Sequence, residues 1–264
     1  MRSFTVETYI QAVLEKTHSP KRAKTVDTLK CGDLSAPVRG VVTTFMPTRQ
    51  VLEKAVALGA NLIVPHEPIF YNHLDETDWL KGDGVFEGKQ RFLKENNLAV
   101  WRFHDSLHDR KPDGIVEGMM AKLGWKEFQA KDNPRFLEFP GWSAKKIALS
   151  AKEALGLPMV RLAGDPEAVC GKVATLFGAW GGEKQINDLK QTDVKAIVCG
   201  ESPEWETCEY VRDAVAQGRS IAMIVLGHAP SEESGMEYVA ELLRNLIPEV
   251  PVHFIPAGNP FQVI

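Results

Sequence analysis

Three loops of this sequence place histidines beside carboxylates, which are side chains that bind transition metals in proteins. The loops cover residues 65–68 (Pro-His-Glu-Pro), 104–109 (His-Asp-Ser-Leu-His-Asp) and 227–233 (Gly-His-Ala-Pro-Ser-Glu-Glu), and they contain four of the seven histidines. Imidazole nitrogens with carboxylate oxygens suit zinc, iron, manganese or nickel, and a carboxylate can bridge two ions. A single histidine after a strand is more often a solvated or hydrogen-bonded loop residue, but the coincidence of three such loops predicts a metal site.

Each of these loops follows an apolar stretch that predicts a β-strand. The stretches run from Asn61 to Pro65, from Leu98 to Phe103 and from Ser220 to Leu226, and helical patterns separate the strands along the chain. Strands that alternate with helices of 10 to 15 residues are typical of a largely parallel sheet covered on both faces. Because such sheets place functional residues just beyond the carboxyl ends of their strands, the three loops stand where an α/β fold carries its chemistry.

Helix boundaries are indicated by capping residues and glycines. Thr5 to Lys16 has one apolar face, Thr48 begins a helix that Gly59 ends, and Ser143 begins another. Ser231 is the predicted cap of the helix that follows the third loop. These signals predict where the helices between the strands begin.

Two stretches of the chain resemble each other. Residues 59–68 and 192–203 each contain a turn, a short apolar strand, and then an acidic residue before a proline. The pattern indicates two related α/β halves, with a boundary near residues 131–134. The usual order of turns, strands and loops in α/β proteins also produces similar patterns by chance.

Composition excludes several classes of protein. The chain is 44% hydrophobic and 25% charged, as in ordinary globular proteins, and its net charge of -4 gives no general attraction to nucleic acid or anionic membranes. The amino terminus lacks the pattern of a signal peptide, and the longest apolar run, residues 221–226, falls far short of the roughly 18 residues that cross a bilayer. A cytoplasmic location is therefore expected.

At the three loops the sequence resembles the Nif-three-like family of dinuclear-metal hexameric proteins, some of which are called GTP cyclohydrolase type 2 homologues. The family pattern is a strand ending in His-His-Pro, a strand ending in His-Thr-Asn-Leu-Asp, and a late Gly-His-x-x-x-Glu. Residues 66–68, 104–108 and 227–232 stand at these positions, and residues 113–124, 199–201 and 259–260 extend the similarity over nearly the whole chain.

The resemblance implies two divalent metal ions and a set of ligands for them. The implied ligands are His66, Glu67, His108, His228 and Glu232. Glu67 stands where the family has a second histidine, and His108 stands where it has aspartate, so three histidines and two carboxylates are retained. Asp105 and Asp109 are nearby carboxylates that could replace or supplement His108. His104 would be a residue behind the ligands or a proton carrier, and the counterpart of Glu232 bridges the ions.

The resemblance also implies the architecture and the assembly. The expected fold is α/β, with two related three-layer domains that have largely parallel sheets. Residues 1–128 with 223–264 would form the metal-binding domain, and residues 129–222 would form the second. Family members assemble as toroidal hexamers, so this chain is expected to be a homohexamer.

Three functions remain open from the sequence. The first is metal-dependent hydrolysis of a small nucleotide-like or phosphorylated substrate by a water that the ions activate. The second is metal binding without catalysis, as a metal-handling protein or a scaffold, and the third is a metal-free small-molecule binder.

His18 and His73 are predicted to be surface residues and His253 a structural one, while the glycine-rich residues 178–182 are predicted to form a turn after a strand.

Overall fold

The computed structural model describes residues 3–20 and 22–264 of the chain. These residues form two compact units, Met1–Gly118 with Glu233–Ala257 and Met119–Glu232 with Gly258–Ile264. Each unit contains a five-stranded sheet with helices packed on it. Because five of the eight strand pairings formed by the described residues are parallel, the predicted α/β class with largely parallel sheets is confirmed.

The sheet of the first unit has the strand order β1-β4-β3-β2-β10. Only β1, an edge strand, runs antiparallel to its neighbour. Its strands are β1 (Leu29–Cys31), β2 (Val41–Thr44), β3 (Leu62–Pro65), β4 (Ala99–Trp101) and β10 (Val252–Phe254). The central strands are buried throughout, which is the near-continuous apolar pattern expected of parallel strands covered on both faces.

Helices cover both faces of this first sheet. They are α1 (Val6–Lys16), α2 (Arg49–Ala57), α3 (Gly84–Glu95), α4 (Asp105–Asp109), α5 (Gly114–Leu123) and α9 (His228–Leu246). On one face Leu62 and Val64 share a core with residues of α1 and α9, and on the other face Ile63 shares a core with residues of α2 and α3. This alternation follows from the two-residue period of a strand.

The sheet of the second unit has the strand order β5-β7-β8-β9-β6. Its strands are β5 (Phe136–Ser143), β6 (Arg161–Gly164), β7 (Val169–Leu176), β8 (Val194–Cys199) and β9 (Ala222–Val225), and its helices are α6 (Ala144–Ala154), α7 (Gly182–Leu189) and α8 (Glu209–Ala216). The three central strands are parallel, and both edge strands are antiparallel to their neighbours. The two sheets therefore share a parallel centre and differ at their edges.

Most predicted caps are confirmed, and one is wrong. Thr48 and Ser143 each accept a hydrogen bond from a backbone N–H in the first turn of the following helix, as predicted, and Thr5, which was not predicted as a cap, does the same for α1. The helix after the third loop, α9, already begins at His228, so Ser231 lies inside its first turn instead of capping it. The Ser231 hydroxyl donates to the His228 carbonyl (2.7 Å) and accepts from the Gly178 N–H (3.0 Å), a partner that sequence spacing does not reveal.

The boundaries of the two units differ from those that the sequence analysis places after residues 128 and 222. The second of these positions would cut β9, which is hydrogen-bonded to both β8 and β6 and so belongs wholly to the second sheet. The chain does return to the first unit, where α9 and β10 complete it. Among the described residues, no helix combines the length and apolar character that a membrane crossing requires.

Candidate metal site

The loop after β3 carries the first two predicted ligands in fixed positions. The His66 N–H donates to the Thr44 carbonyl (3.1 Å), and the Glu67 N–H donates to the Phe45 carbonyl (2.9 Å). These bonds continue the pairing of β2 and β3 past the end of the strand. Both side chains are buried, and β3 is therefore a rigid support for them.

The loop after β4 leads directly into the short helix α4, which carries His108. The Asp27 carboxylate accepts hydrogen bonds from the backbone N–H groups of His104, Asp105 and Ser106, each at 2.8 Å. A carboxylate at the start of a helix satisfies donors that have no partner within the helix. Asp27 thus fixes the start of the helix that holds the second loop's histidines, although it lies far away in the sequence.

Three histidines of the first unit form a compact group. The His66 ring stacks on that of His104 with 4.5 Å between centroids, and the His108 ring lies 5.0 and 4.9 Å from them in edge-on arrangements. One ring nitrogen of each histidine lies within 4.8 Å of the others, which is close enough for the three to share a metal ion. The structure therefore brings together residues from two of the predicted loops.

The Nδ1 atom of each of these histidines faces a protein oxygen. His66 Nδ1 lies 3.3 Å from the Phe103 carbonyl and His104 Nδ1 lies 3.2 Å from Asp105, while His108 Nδ1 lies 2.9 Å from Asp113. With Nδ1 donating to these acceptors, Nε2 is the nitrogen that each ring presents as a ligand. Metal-binding histidines in proteins are held in this way.

Burial keeps two of these imidazoles neutral. It lowers the pKa of His66 well below its ordinary value, and the neighbouring histidines and Arg102 lower it further. Burial also lowers the pKa of His104 to about 4, with His108 next in effect. Since only a neutral imidazole offers a lone pair to a metal, His66 and His104 are in the binding form near neutral pH.

The Glu67 carboxylate has a buried cationic partner, Arg102. The guanidinium Nη2 lies 3.2 Å from Glu67 Oε2, and the Arg102 side chain is fully buried. The other oxygen, Oε1, lies 3.8 Å from His104 Nε2 and so is turned toward the histidine group. Glu67 can offer Oε1 to a cation while Arg102 holds Oε2.

The third loop places its two predicted ligands side by side at the start of α9. His228 Nδ1 lies 2.8 Å from Glu201 Oε1, and His228 Nε2 lies 3.0 Å from Glu232 Oε2. A Cβ built on Gly178 would lie 2.3 Å from Glu232 Oε1, so a larger residue at this position would displace that carboxylate. His228 and Glu232 lie one helical turn apart, as their i,i+4 spacing requires.

Helix α9 also continues into the first unit, because the division falls between Glu232 and Glu233 inside the helix. Within the first unit the ligand atoms of His66, His104 and His108 lie together, and within the second unit those of His228 and Glu232 lie together. The donor set of imidazoles and carboxylates fits a first-row transition metal or zinc.

The remaining predictions for this region have mixed outcomes. Asp105 and Asp109, which the sequence offers as substitutes for His108, both form ion pairs with Arg22. His73 is exposed, as predicted, but its ring lies 5.5 Å from that of His104, beside the histidine group. Residues 178–182 follow β7, and Gly178 contacts both Ser231 and Glu232.

Four residues around the candidate ligands were not predicted to belong to the site. They are Asp27, Arg102, Asp113 and Glu201. Glu201 has the one usable signal, since it follows β8 as Glu67 follows β3. The partners of the other three are set by tertiary packing.

The fold and this group of residues define an α/β protein with candidate metal-ligand clusters at the carboxyl ends of its strands. A family model described as Duf34/NIF3 (NGG1p interacting factor 3) matches residues 6–260, and the chain belongs to this family. The family resemblance inferred from the three loops is thereby confirmed.

Curated relatives carry the name "GTP cyclohydrolase 1 type 2 homolog". The one from Chlamydia muridarum is 23% identical over 242 residues, which covers 88% of this chain and 90% of the relative. The one from Clostridium acetobutylicum is 23% identical over 238 residues, which covers 85% and 84%. These identities are low, and the similarity extends along most of each chain.

Solved structures show the same fold. A Bacillus cereus protein related to NIF3 superposes with a TM-score of 0.76 at 16% identity, covering 100% of both chains. The reduced form of HcgD from Methanocaldococcus jannaschii superposes with a TM-score of 0.69 at 17% identity, covering 96% of this chain and 98% of that one.

Proposed function

We propose that this chain binds two divalent metal ions through His66, Glu67, His108, His228 and Glu232 and hydrolyses a small nucleotide-like or phosphorylated substrate. The observation that carries this proposal is the common orientation of four imidazoles. Nδ1 of His66, His104, His108 and His228 faces a backbone carbonyl in one case and a carboxylate in three. Such partners fix the ring and raise its strength as a ligand.

Chance orientation of solvated histidines does not account for this pattern. An exposed imidazole bonds water with either nitrogen, whereas these rings all use Nδ1 for a protein oxygen. The two carboxylates, Glu67 and Glu232, supply two negative charges against the positive charges of the ions, and each carboxylate is buried. Paired ions of this kind lower the pKa of a bound water and polarise the bond that it attacks.

The role of His104 divides into two alternatives that metal content separates. His104 Nε2 belongs to the candidate ligand group, while Asp105 holds its Nδ1. If His104 carries a proton, His104→Ala retains the bound metal and loses turnover. If His104 is a ligand, His104→Ala loses metal as well.

The choice of substrates to test comes from the relatives' name, which points to purine nucleotides as the first compounds. Phosphate monoesters are the second class, because paired metal ions commonly promote attack of water on phosphorus. His104 and Asp105 form a donor and acceptor pair at the edge of the histidine group, which suits the transfer of a proton. The net charge of -4 does not favour a nucleic-acid partner.

Elemental analysis of protein purified without chelator tests the metal proposal. We expect about two equivalents of metal in the wild type, and loss of bound metal in His66→Ala and in the double variant His228→Ala Glu232→Ala. His253→Ala, which changes a histidine outside the group, is the matched control and should keep its metal. A wild-type protein without metal after incubation with zinc, iron, manganese and nickel in turn would contradict the proposal.

Turnover is tested separately on the metal-loaded protein. Hydrolysis of a nucleotide or phosphoester that disappears in the His228→Ala Glu232→Ala variant would support the hydrolase. Firmly bound metal with no turnover across both substrate classes would instead favour a metal-handling protein or a scaffold. The homohexamer is proposed on the family resemblance, and light scattering of the eluting protein measures it directly.

A further inference from the structure

Arg102 is a fully buried cation directly behind the candidate metal site. Its side chain has no exposed surface, and its Nη2 lies 3.2 Å from Glu67 Oε2. The guanidinium also donates through Nε to the His66 carbonyl (3.0 Å) and through Nη1 to the His73 carbonyl. A buried guanidinium needs both charge compensation and hydrogen-bond acceptors, and the residues next to the histidine group supply both.

Burial lowers the pKa of Arg102, and among the carboxylates that stabilise its charged form and so raise that pKa, Glu67 has the largest effect, ahead of Asp75, Asp27 and Asp105. Asp75 lies 4.0 Å from Arg102 Nη1 and 3.3 Å from Lys30 Nζ, and the Asp75 side chain is itself almost fully buried. Asp75 is thus shared between Arg102 and Lys30, while Glu67 lies within hydrogen-bond distance of Arg102. A neutral ligand in place of Glu67 would remove this nearby negative charge from a buried guanidinium beside the proposed metal site.

The orientation of Glu67 follows from the same pair. Arg102 occupies Oε2, and Oε1 is turned toward His104. A carboxylate that is held by one oxygen binds a metal through the other as a single ligand atom. Without Arg102, Glu67 Oε2 would lose the buried cation that holds it 3.2 Å away.

We propose that Arg102 is a positioning residue that makes Glu67 usable as a metal ligand by neutralising its buried charge and fixing its Oε1 toward the histidine group. The proposal rests on the metal-binding function proposed above. It also predicts that Arg102 and the residue at position 67 depend on each other: the guanidinium favours metal binding beside glutamate and opposes it beside a neutral imidazole.

A purely structural role is the competing explanation. Arg102 binds the carbonyls of His66 and His73, so its removal could loosen these segments regardless of the residue at position 67. The two roles differ in one result. A structural role makes Arg102→Met equally harmful in both backgrounds, whereas charge compensation reverses its effect when Glu67 is replaced.

A double-mutant cycle of Glu67→His and Arg102→Met separates these roles. The measurements are the Tm of metal-free protein and the Kd for zinc by competition with a chromophoric chelator. We expect Arg102→Met alone to lower the metal-free Tm by about 10 °C, because it removes the buried cation that pairs with a buried carboxylate. We expect Glu67→His alone to weaken zinc binding about tenfold or more, through the repulsion of the unbalanced guanidinium.

Adding Arg102→Met to Glu67→His should then restore zinc affinity by about tenfold and change the metal-free Tm by less than about 3 °C. Arg91→Met, which removes an exposed cation from α3 of the same unit, is the control and should change neither quantity.

The outcomes distinguish this inference from the function on which it rests. If the wild type binds none of zinc, iron, manganese and nickel, the proposed function fails, and the Tm values still report whether Arg102 compensates Glu67. If the wild type binds zinc and Arg102→Met lowers affinity and Tm equally in both backgrounds, the inference is overturned and Arg102 is structural. A reversal of sign between the backgrounds supports charge compensation.

Discussion

The loops after the central strands of the two sheets have related sequences and opposite surroundings. β3 is the third of five strands in the first sheet, and β8 is the third of five in the second. His66 and Glu67 follow β3, whereas Gly200 and Glu201 follow β8. Glu67 is buried against Arg102, while the side chain of Glu201 is 56% exposed and contacts His228.

Side-chain space explains why the second loop has glycine where the first has histidine. A Cβ on Gly200 would lie 2.4 Å from Ser231 Oγ and 2.5 Å from the Gly178 carbonyl oxygen. The Gly227 N–H donates to the Gly200 carbonyl (3.0 Å), and the Glu201 N–H donates to the Gly178 carbonyl (2.9 Å), so three loops of the second unit interlock by their backbones. One loop therefore carries candidate ligands, and its counterpart orients a candidate ligand that another loop carries.

The largest expected effect tests this crowding. Gly200→Ala should lower the free energy of unfolding by about 2 to 3 kcal/mol, because its Cβ meets backbone atoms that cannot move aside cheaply. Gly171→Ala is the control, since a Cβ there has no neighbour within 4 Å and Gly171 also lies in the second unit. Urea unfolding measures both. Equal stability of the two variants would show that lack of space for a side chain does not explain the glycine at position 200.

The next effect concerns the orienting role of Glu201. Glu201→Ala should weaken metal binding about 10- to 100-fold, because His228 loses the carboxylate that holds its Nδ1. Glu201→Gln keeps a hydrogen-bond acceptor and should recover most of the affinity. Chelator competition measures both values. Full metal affinity in Glu201→Ala would show that Glu201 does not orient His228 for metal binding.

The smallest expected effect is a pH dependence of the free energy of unfolding that comes from the buried Lys89 amine of the first unit. Burial lowers the pKa of Lys89, whose amine donates to the Ile69 carbonyl (2.7 Å), to about 8. Above this pH the folded protein loses the Lys89 proton while the unfolded chain keeps it, so stability rises with pH up to the ordinary lysine pKa. We expect Lys89 to contribute about 1 kcal/mol between about pH 8 and about pH 9.

Urea unfolding of the wild type and of Lys89→Met at these two pH values measures that contribution. It is the amount by which the difference between their free energies of unfolding changes from the lower pH to the higher. Lys184→Met, in α7 of the second unit, is the control for removing a lysine, because its side chain is 40% exposed. If the difference in free energy of unfolding between the wild type and Lys89→Met stays constant with pH, the pKa of Lys89 is not lowered in the folded protein.

Local sequence carried much of the fold. The alternation of apolar strands with capped helices predicted the α/β class, and the predicted caps at Thr48 and Ser143 have their hydrogen bonds. Caps and strand patterns can be recognised because they depend on neighbours within a few residues. Ser231 failed as a predicted cap because its hydroxyl bonds Gly178, which lies 53 positions away in the sequence.

The sequence by itself determined the candidate ligands, because imidazole and carboxylate chemistry and position after a strand are both local properties. Tertiary structure alone decided how those ligands are held. Arg102 meets Glu67 across 35 positions, and Glu201 meets His228 across 27. Such contacts depend on which strands become neighbours and on where each side chain finds space, and neither property is encoded in the spacing of residues along the chain.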